Sequence, residues 1–107
     1  MASYGFGVGL NGMPPQMAQF MPRAYDVVLS PALIVLNTSA EQTFTVNGLN
    51  VGDLVLVNKP TSQAGLDVYG FRVTAANTLG ITFGNFTGLS ITPTAAETYK
   101  VIAIKCS

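Results

Sequence analysis

The chain has 107 residues, of which 49% are hydrophobic and only 9% are charged, whereas charged residues make up about 25% of an ordinary soluble domain. Five basic residues balance five acidic ones, so no positive field attracts nucleic acid or an anionic membrane surface. The sequence has no His and a single Cys, which excludes imidazole-dependent triads, the common zinc sites and an internal disulfide. We expect no cofactor, no metal ion, no nucleic acid and no membrane as partners.

The neutral composition predicts an oligomer. Thr, Asn and Ser total 24 residues, against ten charged ones, and a net charge of zero does not repel one copy from another. A chain of this length forms one small domain, which buries only about 60–70% of the surface that its unfolded form exposes. Some apolar surface is therefore left for a neighbouring subunit to cover.

The beginning of the chain differs from the rest. Residues 1–22 hold four of the eleven glycines, three of the six prolines and all four methionines, and no charged side chain. Gly and Asn interrupt every apolar run, so a signal peptide is not predicted, and no run of 18 apolar residues suggests a membrane helix. We predict an extended N-terminal arm over residues 1–23 and a β domain over residues 24–107.

The arm carries large apolar side chains. Met13, Met17 and Met21 share one stripe of a short helix that would begin after the Pro14-Pro15 pair. Such a helix is marginal alone and would order by docking, to which flexible Met is suited; a disordered tail is the alternative. We expect the arm to order against a neighbouring subunit through Tyr4, Phe6, Leu10, Met13, Met17, Phe20 and Met21.

The arm also contains the run Gly7–Gly12, which matches the dinucleotide pattern G-x-G-x-x-G. That pattern works where a strand feeds a tight turn into a helix N-terminus. Here only six residues precede the run and Met13 and two prolines follow it, so nucleotide binding is not expected.

From Ala24 onward, Val, Ile, Thr, Tyr and Phe dominate, which favours strands over helices. Short strands separated by Gly, Pro and Asn indicate an antiparallel β-sandwich with jelly-roll or Greek-key topology. The predicted strands are Tyr25–Leu29, Ala32–Leu36, Glu41–Val46, Leu54–Val57, Val68–Ala75, Leu79–Phe83, Leu89–Thr92 and Glu97–Ile104.

The alternation of side chains predicts which face of each strand is buried. Phe44 and Val46 are expected inside, and so are Tyr69, Phe71, Val73 and Ala75, with Arg72 outside; Tyr99, Val101 and Ala103 should oppose Lys100, Ile102 and Ile104. The strand at Leu54–Val57 is apolar on both faces, as a central strand is. Outward Leu, Ile and Tyr side chains are expected to meet other subunits.

Candidate catalytic groups are few, and we predict no enzyme. The carboxylates could include a glycosidase pair, but solvation or turn hydrogen bonding explains each of them. No S-x-x-K pattern occurs, and Cys106 is interpreted as a mobile terminal thiol, with an intersubunit disulfide as the alternative. The acids are Asp26, Glu41, Asp53, Asp67 and Glu97.

Two further patterns have simple structural interpretations. The runs 37–39 and 85–87 match the N-glycosylation acceptor pattern, but without a secretory signal we interpret both as turns. Tyr25, Tyr69, Phe86 and Tyr99 could form a sugar-stacking platform, although aromatic residues in strands are more often core or interface anchors.

A series of turn and strand patterns extends across residues 37–105, about two-thirds of the chain. They are Thr43–Leu49, Val51–Asp53, Val57–Pro60, Gly65-Leu66, Arg72–Thr78, Ile81–Asn85 and Thr98–Val101. These patterns resemble a β module common in virion proteins of tailed bacteriophages, which includes small head decoration (cement) proteins and fibre-base domains.

The resemblance implies a structural protein that binds and braces an icosahedral capsid. We expect a homotrimer on the capsid surface of the virion, made in the host cytoplasm, with the major capsid protein as its partner. The alternative is a phage fibre or tail domain that binds host glycan through exposed aromatic side chains.

Overall fold

The computed structural model describes residues 22–105, which form six β-strands and no helix. The strands make two antiparallel three-stranded sheets: sheet I in the order β1-β6-β3, and sheet II in the order β2-β5-β4. The all-β prediction is confirmed. The strands are β1 (Pro22–Leu29), β2 (Thr38–Thr45), β3 (Leu54–Asn58), β4 (Leu66–Ala75), β5 (Thr78–Asn85) and β6 (Glu97–Ile104).

One apolar core takes side chains from both sheets, as in a sandwich. Every second residue of the central strands points inward. The alternation predicted for β6 is confirmed, because one of its two sets of side chains has no exposed surface, and the inward side chains of β5 are equally buried. The six are Tyr99, Val101 and Ala103 of β6, and Leu79, Ile81 and Phe83 of β5.

The alternation predicted for β2 is also confirmed. Val46 is buried and Phe44 packs against the core, while Thr43 and Thr45 are exposed. The chain then turns at Gly48, which has φ of 104° and whose amide donates to Oδ1 of Asn77 at 2.8 Å. A side chain there would be strained and would meet the Tyr25 hydroxyl, so the Asn-Gly turn requires its glycine.

Two predicted strands, Ala32–Leu36 and Leu89–Thr92, are wrong. Their only pairing is a single bridge between Ile34 and Ile91, with amide-to-carbonyl distances of 2.8 and 3.0 Å. Side chains take over the backbone groups that a strand would use: the Gln42 amide binds both the N–H and the carbonyl of Ala32. The described residues therefore hold six strands instead of the seven or eight expected.

Two further predictions about strands 3 and 4 are wrong. β3 lies at an edge of sheet I, not at its centre, and Leu54 and Leu56 on its outer side are exposed. In β4 a register irregularity between Val68 and Gly70 interrupts the alternation. Tyr69 therefore lies outside the core, although an uninterrupted alternation predicts it inside.

β1 begins at Pro22, which pairs with Ile104, two residues before the predicted domain boundary at Ala24. The seven arm residues expected to contact a partner, from Tyr4 to Met21, lie outside the described residues, as does Cys106. The jelly-roll topology and the arm stay predictions.

Candidate functional site

The outer side of sheet I carries two neighbouring apolar rows, which we call the apolar face. Directly paired residues of antiparallel strands point to the same side of a sheet, so the pairing register places Pro22, Ile104 and Leu54 in one row. Ala24, Ile102 and Leu56 form the next row. Neither row contains a charged or polar side chain.

The two leucines of the apolar face are largely exposed. Leu54 and Leu56 are 63% and 59% exposed. Full burial of a leucine is worth about 1.5–3 kcal/mol, so covering both side chains would contribute about 2–4 kcal/mol. Such an exposed apolar surface is suited to docking; that other subunits cover it stays a prediction.

One ion pair borders the apolar face, and another lies on the inner side of sheet I. The row next to the apolar face holds Asp26 and Lys100, whose Oδ1 and Nζ are 2.9 Å apart, with both side chains largely exposed. Arg23 is paired with the buried Ala103 and therefore lies on the inner side, where its Nη2 donates to Oδ2 of Asp53 at 2.6 Å. Burial opposes ionisation of Asp53, but hydrogen bonds from Arg23 and from the Asn50 amide outweigh it and hold the pKa of Asp53 below its ordinary value.

The outer side of sheet II presents a different chemistry. Arg72 donates to Glu41 through Nε and Nη2, each at 2.9 Å, a two-point contact that lowers the pKa of Glu41. The pair spans Gly80, where an added Cβ would lie 2.6 Å from Oε2 of Glu41. Arg72 lies outside the core, as predicted.

Two exposed aromatic rings lie on this same side of sheet II, and we call Tyr69 and Phe86 the aromatic pair. Their ring centroids are 5.6 Å apart and their planes meet at 66°, an edge-to-face contact. Tyr69 is 56% exposed and Phe86 61% exposed. Burial against the sheet and the nearby Asp67 carboxylate raise the pKa of Tyr69, and its Oη lies 3.5 Å from Oδ2 of Asp67.

Only two of the four aromatic residues predicted as a platform come together. Tyr99 is completely buried, and Tyr25 packs against the core from β1. The sequence identified Phe86 and Tyr69 as candidates, but the irregularity in β4 that exposes Tyr69 has no clear sequence signal. Gly70, the residue after it, is the one local hint, since a glycine within a strand often marks a bulge.

Asn85, in the second glycosylation pattern, is completely buried, as the final residue of β5 instead of the predicted turn. Its Nδ2 donates to the carbonyls of Ile34 and Leu89 at 3.2 and 2.8 Å, and its Oδ1 accepts from the amide and hydroxyl of Thr87. This side chain holds two loops together and is inaccessible to a glycan. Asn37, in the first pattern, has φ of 55° and forms the predicted turn.

Four of the five carboxylates contact a cation, and the fifth, Asp67, contacts the Tyr69 hydroxyl. The most enclosed pair joins Lys59 and Glu97 at 3.1 Å, with both side chains 9% exposed. A hydrogen bond from the Thr61 hydroxyl, and then the Lys59 ammonium, lower the pKa of Glu97. Among residues 22–105 no cluster of three or more potential metal ligands occurs.

No family model, curated protein or solved structure matches this sequence. Within the part of the chain that the structure describes, no helix is long and apolar enough to cross a membrane.

Proposed function

We propose that the protein is a structural component of a tailed-bacteriophage virion, which decorates the icosahedral capsid and cements neighbouring major capsid subunits. The observation that carries the proposal is the apolar face of sheet I, where Leu54 and Leu56 remain exposed on an uncharged surface. A major capsid subunit, or another copy of this chain in a homotrimer, covers that face.

The N-terminal arm adds reach to this docking surface. Pro22, which follows residues 1–21 of the arm, lies in the first row of the apolar face. A segment of this length spans at most about 70 Å when extended, enough to reach a neighbouring subunit. Its apolar, uncharged composition matches that of the face.

The resemblance of residues 37–105 to phage virion modules supports a location in the virion. Four of the five carboxylates are held in ion pairs, which favours a structural role over a catalytic one. The stabilisation works by linkage: a protein that binds the assembled shell, and not its separate subunits, lowers the free energy of the assembled state. No bond is made or broken. The protein would be made in the host cytoplasm and end on the outside of the virion.

Co-sedimentation with capsids that lack this protein tests the proposal. The full-length chain should pellet with capsids, and both removal of residues 1–21 and the double change Leu54→Asn and Leu56→Asn should weaken binding at least tenfold. Leu89→Asn is the matched control, because Leu89 is 77% exposed on a loop away from the apolar face. Retention on host polysaccharide, with no binding to capsids, would instead favour a fibre or tail domain.

A further inference from the structure

We propose that the exposed face of Tyr69 is a stacking site for a neutral saccharide, with Phe86 as its side wall and Asp67 as its hydrogen-bond acceptor. The site lies on the outer side of sheet II, and the apolar face lies on the outer side of sheet I, so the two occupy opposite sides of the sandwich. The proposal therefore goes beyond capsid docking and does not depend on it.

The backbone places the Tyr69 ring on the surface. The register irregularity between Val68 and Gly70 directs this side chain outward, and β-bulges commonly re-aim side chains at functional sites. The neighbouring strand β5 leaves room for the ring. Its outward residue beside Tyr69 is Gly84, and the Tyr69 ring occupies the space that a side chain at Gly84 would fill.

The ring is held from two directions. Gly84 lies beneath it and Phe86 contacts it edge to face at a centroid distance of 5.6 Å. Both residues nevertheless keep more than half of their surface exposed. A ring fixed in advance loses little conformational freedom when a ligand stacks on it, and this preorganisation favours binding.

Two polar residues flank Gly84, against which the Tyr69 ring lies. Ser39 and Asp67 are paired with Gly84 from either side and point to the same side of the sheet. Asp67 differs from the other four carboxylates, because no cation lies within ion-pair distance of it among residues 22–105. A carboxylate accepts hydrogen bonds only, and a hydroxyl both donates and accepts. This arrangement suits a ligand with an apolar C–H face and hydroxyl groups at its edge, which describes a pyranose.

The charges favour a neutral sugar over an acidic one. The nearest guanidinium, that of Arg72, donates to Glu41 through Nε and Nη2, so its charge is already balanced by a carboxylate, and Asp67 would repel the carboxylate or sulfate of an acidic sugar. A proline-rich peptide is also disfavoured. Such peptides insert between separated aromatic ridges, whereas Tyr69 and Phe86 contact each other.

Titration of the full-length, ¹⁵N-labelled protein with maltohexaose, cellohexaose, chitopentaose and a galactan oligosaccharide tests the proposal, with amide shifts as the readout. At least one sugar should give saturable shifts at Ser39, Asp67, Gly84 and Phe86. Tyr69→Ala should weaken that binding at least tenfold and Asp67→Asn several-fold, whereas Tyr69→Phe, which keeps the ring, should bind within about threefold of wild type. Val28→Ala, on the outer side of sheet I, is the matched control.

Saturable shifts that depend on the Tyr69 ring would establish the site. Absence of saturable shifts at these amides with all four sugars would overturn the proposal, as would equal affinity of Tyr69→Ala and wild type. Shifts at the same amides with decaproline but with none of the sugars would overturn it in favour of a peptide site. If Tyr69→Ala loses the dispersed spectrum of the folded protein, affinities of Tyr69→Phe and Asp67→Asn decide the question.

Discussion

The ring of Tyr69 lies directly against Gly84, in the volume that a methyl group on Gly84 would occupy. Tyr69 belongs to β4 and Gly84 to the central strand β5. The absence of a side chain at one position thus determines where the exposed ring of the other rests.

Gly84→Ala should therefore displace the Tyr69 ring and destabilise the protein by about 1–3 kcal/mol, measured by urea unfolding. Gly70→Ala is the control, because a Cβ at Gly70 would meet no atom within 4 Å. That substitution should be neutral, or stabilising by up to about 1 kcal/mol, since alanine restricts the unfolded chain. Equal effects of the two changes would contradict the described packing.

Asn85→Ala should be among the most destabilising polar substitutions in the chain. It removes hydrogen bonds to Ile34, Thr87 and Leu89 and leaves buried backbone groups without partners, at an expected cost of about 2–4 kcal/mol. Hydrogen exchange should show the Ile34–Ile91 bridge opening first. Asn58→Ala, at an exposed strand end, should change stability by less than about 0.5 kcal/mol; a comparable loss there would refute the role given to Asn85.

The sequence predicted the regular strands well and the loops poorly. The predicted and observed bounds of β6 are the same, Glu97–Ile104, and both β2 and β6 show the predicted alternation of side chains. The failures have local causes. Ala32–Leu36 has a strand-like composition, but the distant Gln42 and Asn85 side chains hold its backbone as a loop.

The candidate sites were likewise predictable only in part. Exposed apolar residues in sheet I were expected from strands that are apolar on both faces, but which residues form one surface depends on the pairing of β1, β6 and β3, which sequence does not specify. The position of Tyr69 depends on a register irregularity against β5. The first feature depends on strands that lie far apart in the chain, and the second on the exact pairing within the β4–β5 hairpin.

Tyr99→Phe should leave stability unchanged, or raise it by up to about 1 kcal/mol, at pH 8. Among the described residues the buried Tyr99 hydroxyl has no hydrogen-bond partner, so its removal leaves no group unsatisfied. Burial, with the charge of Glu97, raises the pKa of Tyr99 to about 12.

Because this pKa is higher in the folded state than the ordinary value of 10.0, ionisation favours unfolding, and stability contributed by Tyr99 is lost as pH rises from about 10 to 12. Urea unfolding at pH 8 and at pH 10.5–11.5 should show a steeper alkaline loss for wild type than for Tyr99→Phe. Parallel losses in the two proteins would contradict the burial of this hydroxyl.

Glu97→Gln should destabilise the protein at neutral pH and have little effect in acid. The pKa of Glu97 is lowered in the folded state by Thr61 and Lys59, so its stabilising contribution is complete above the ordinary value of 4.5 and is lost as pH falls through the lower folded value. The stability difference between wild type and variant should therefore shrink steadily below that pH.

Asp26→Asn is the matched control for the enclosed pair, because Asp26 and Lys100 form an exposed ion pair, which contributes little. Thermal unfolding between pH 3 and pH 7 compares the two variants. A pH-independent effect of Glu97→Gln, or a larger effect of Asp26→Asn, would contradict the arrangement around Lys59.

The central claim is that the apolar face of sheet I is covered in the virion, and thiol labelling tests it most directly. In a Cys106→Ser background, a cysteine is placed at Leu56 on that face or at Thr43 on the outer side of sheet II, both exposed in the described chain. The rate of maleimide reaction is measured for the free protein and for intact particles. Leu56→Cys should react at least a hundredfold more slowly on particles than in the free protein, while the rate for Thr43→Cys should not change. An unchanged rate for Leu56→Cys would contradict coverage of the apolar face.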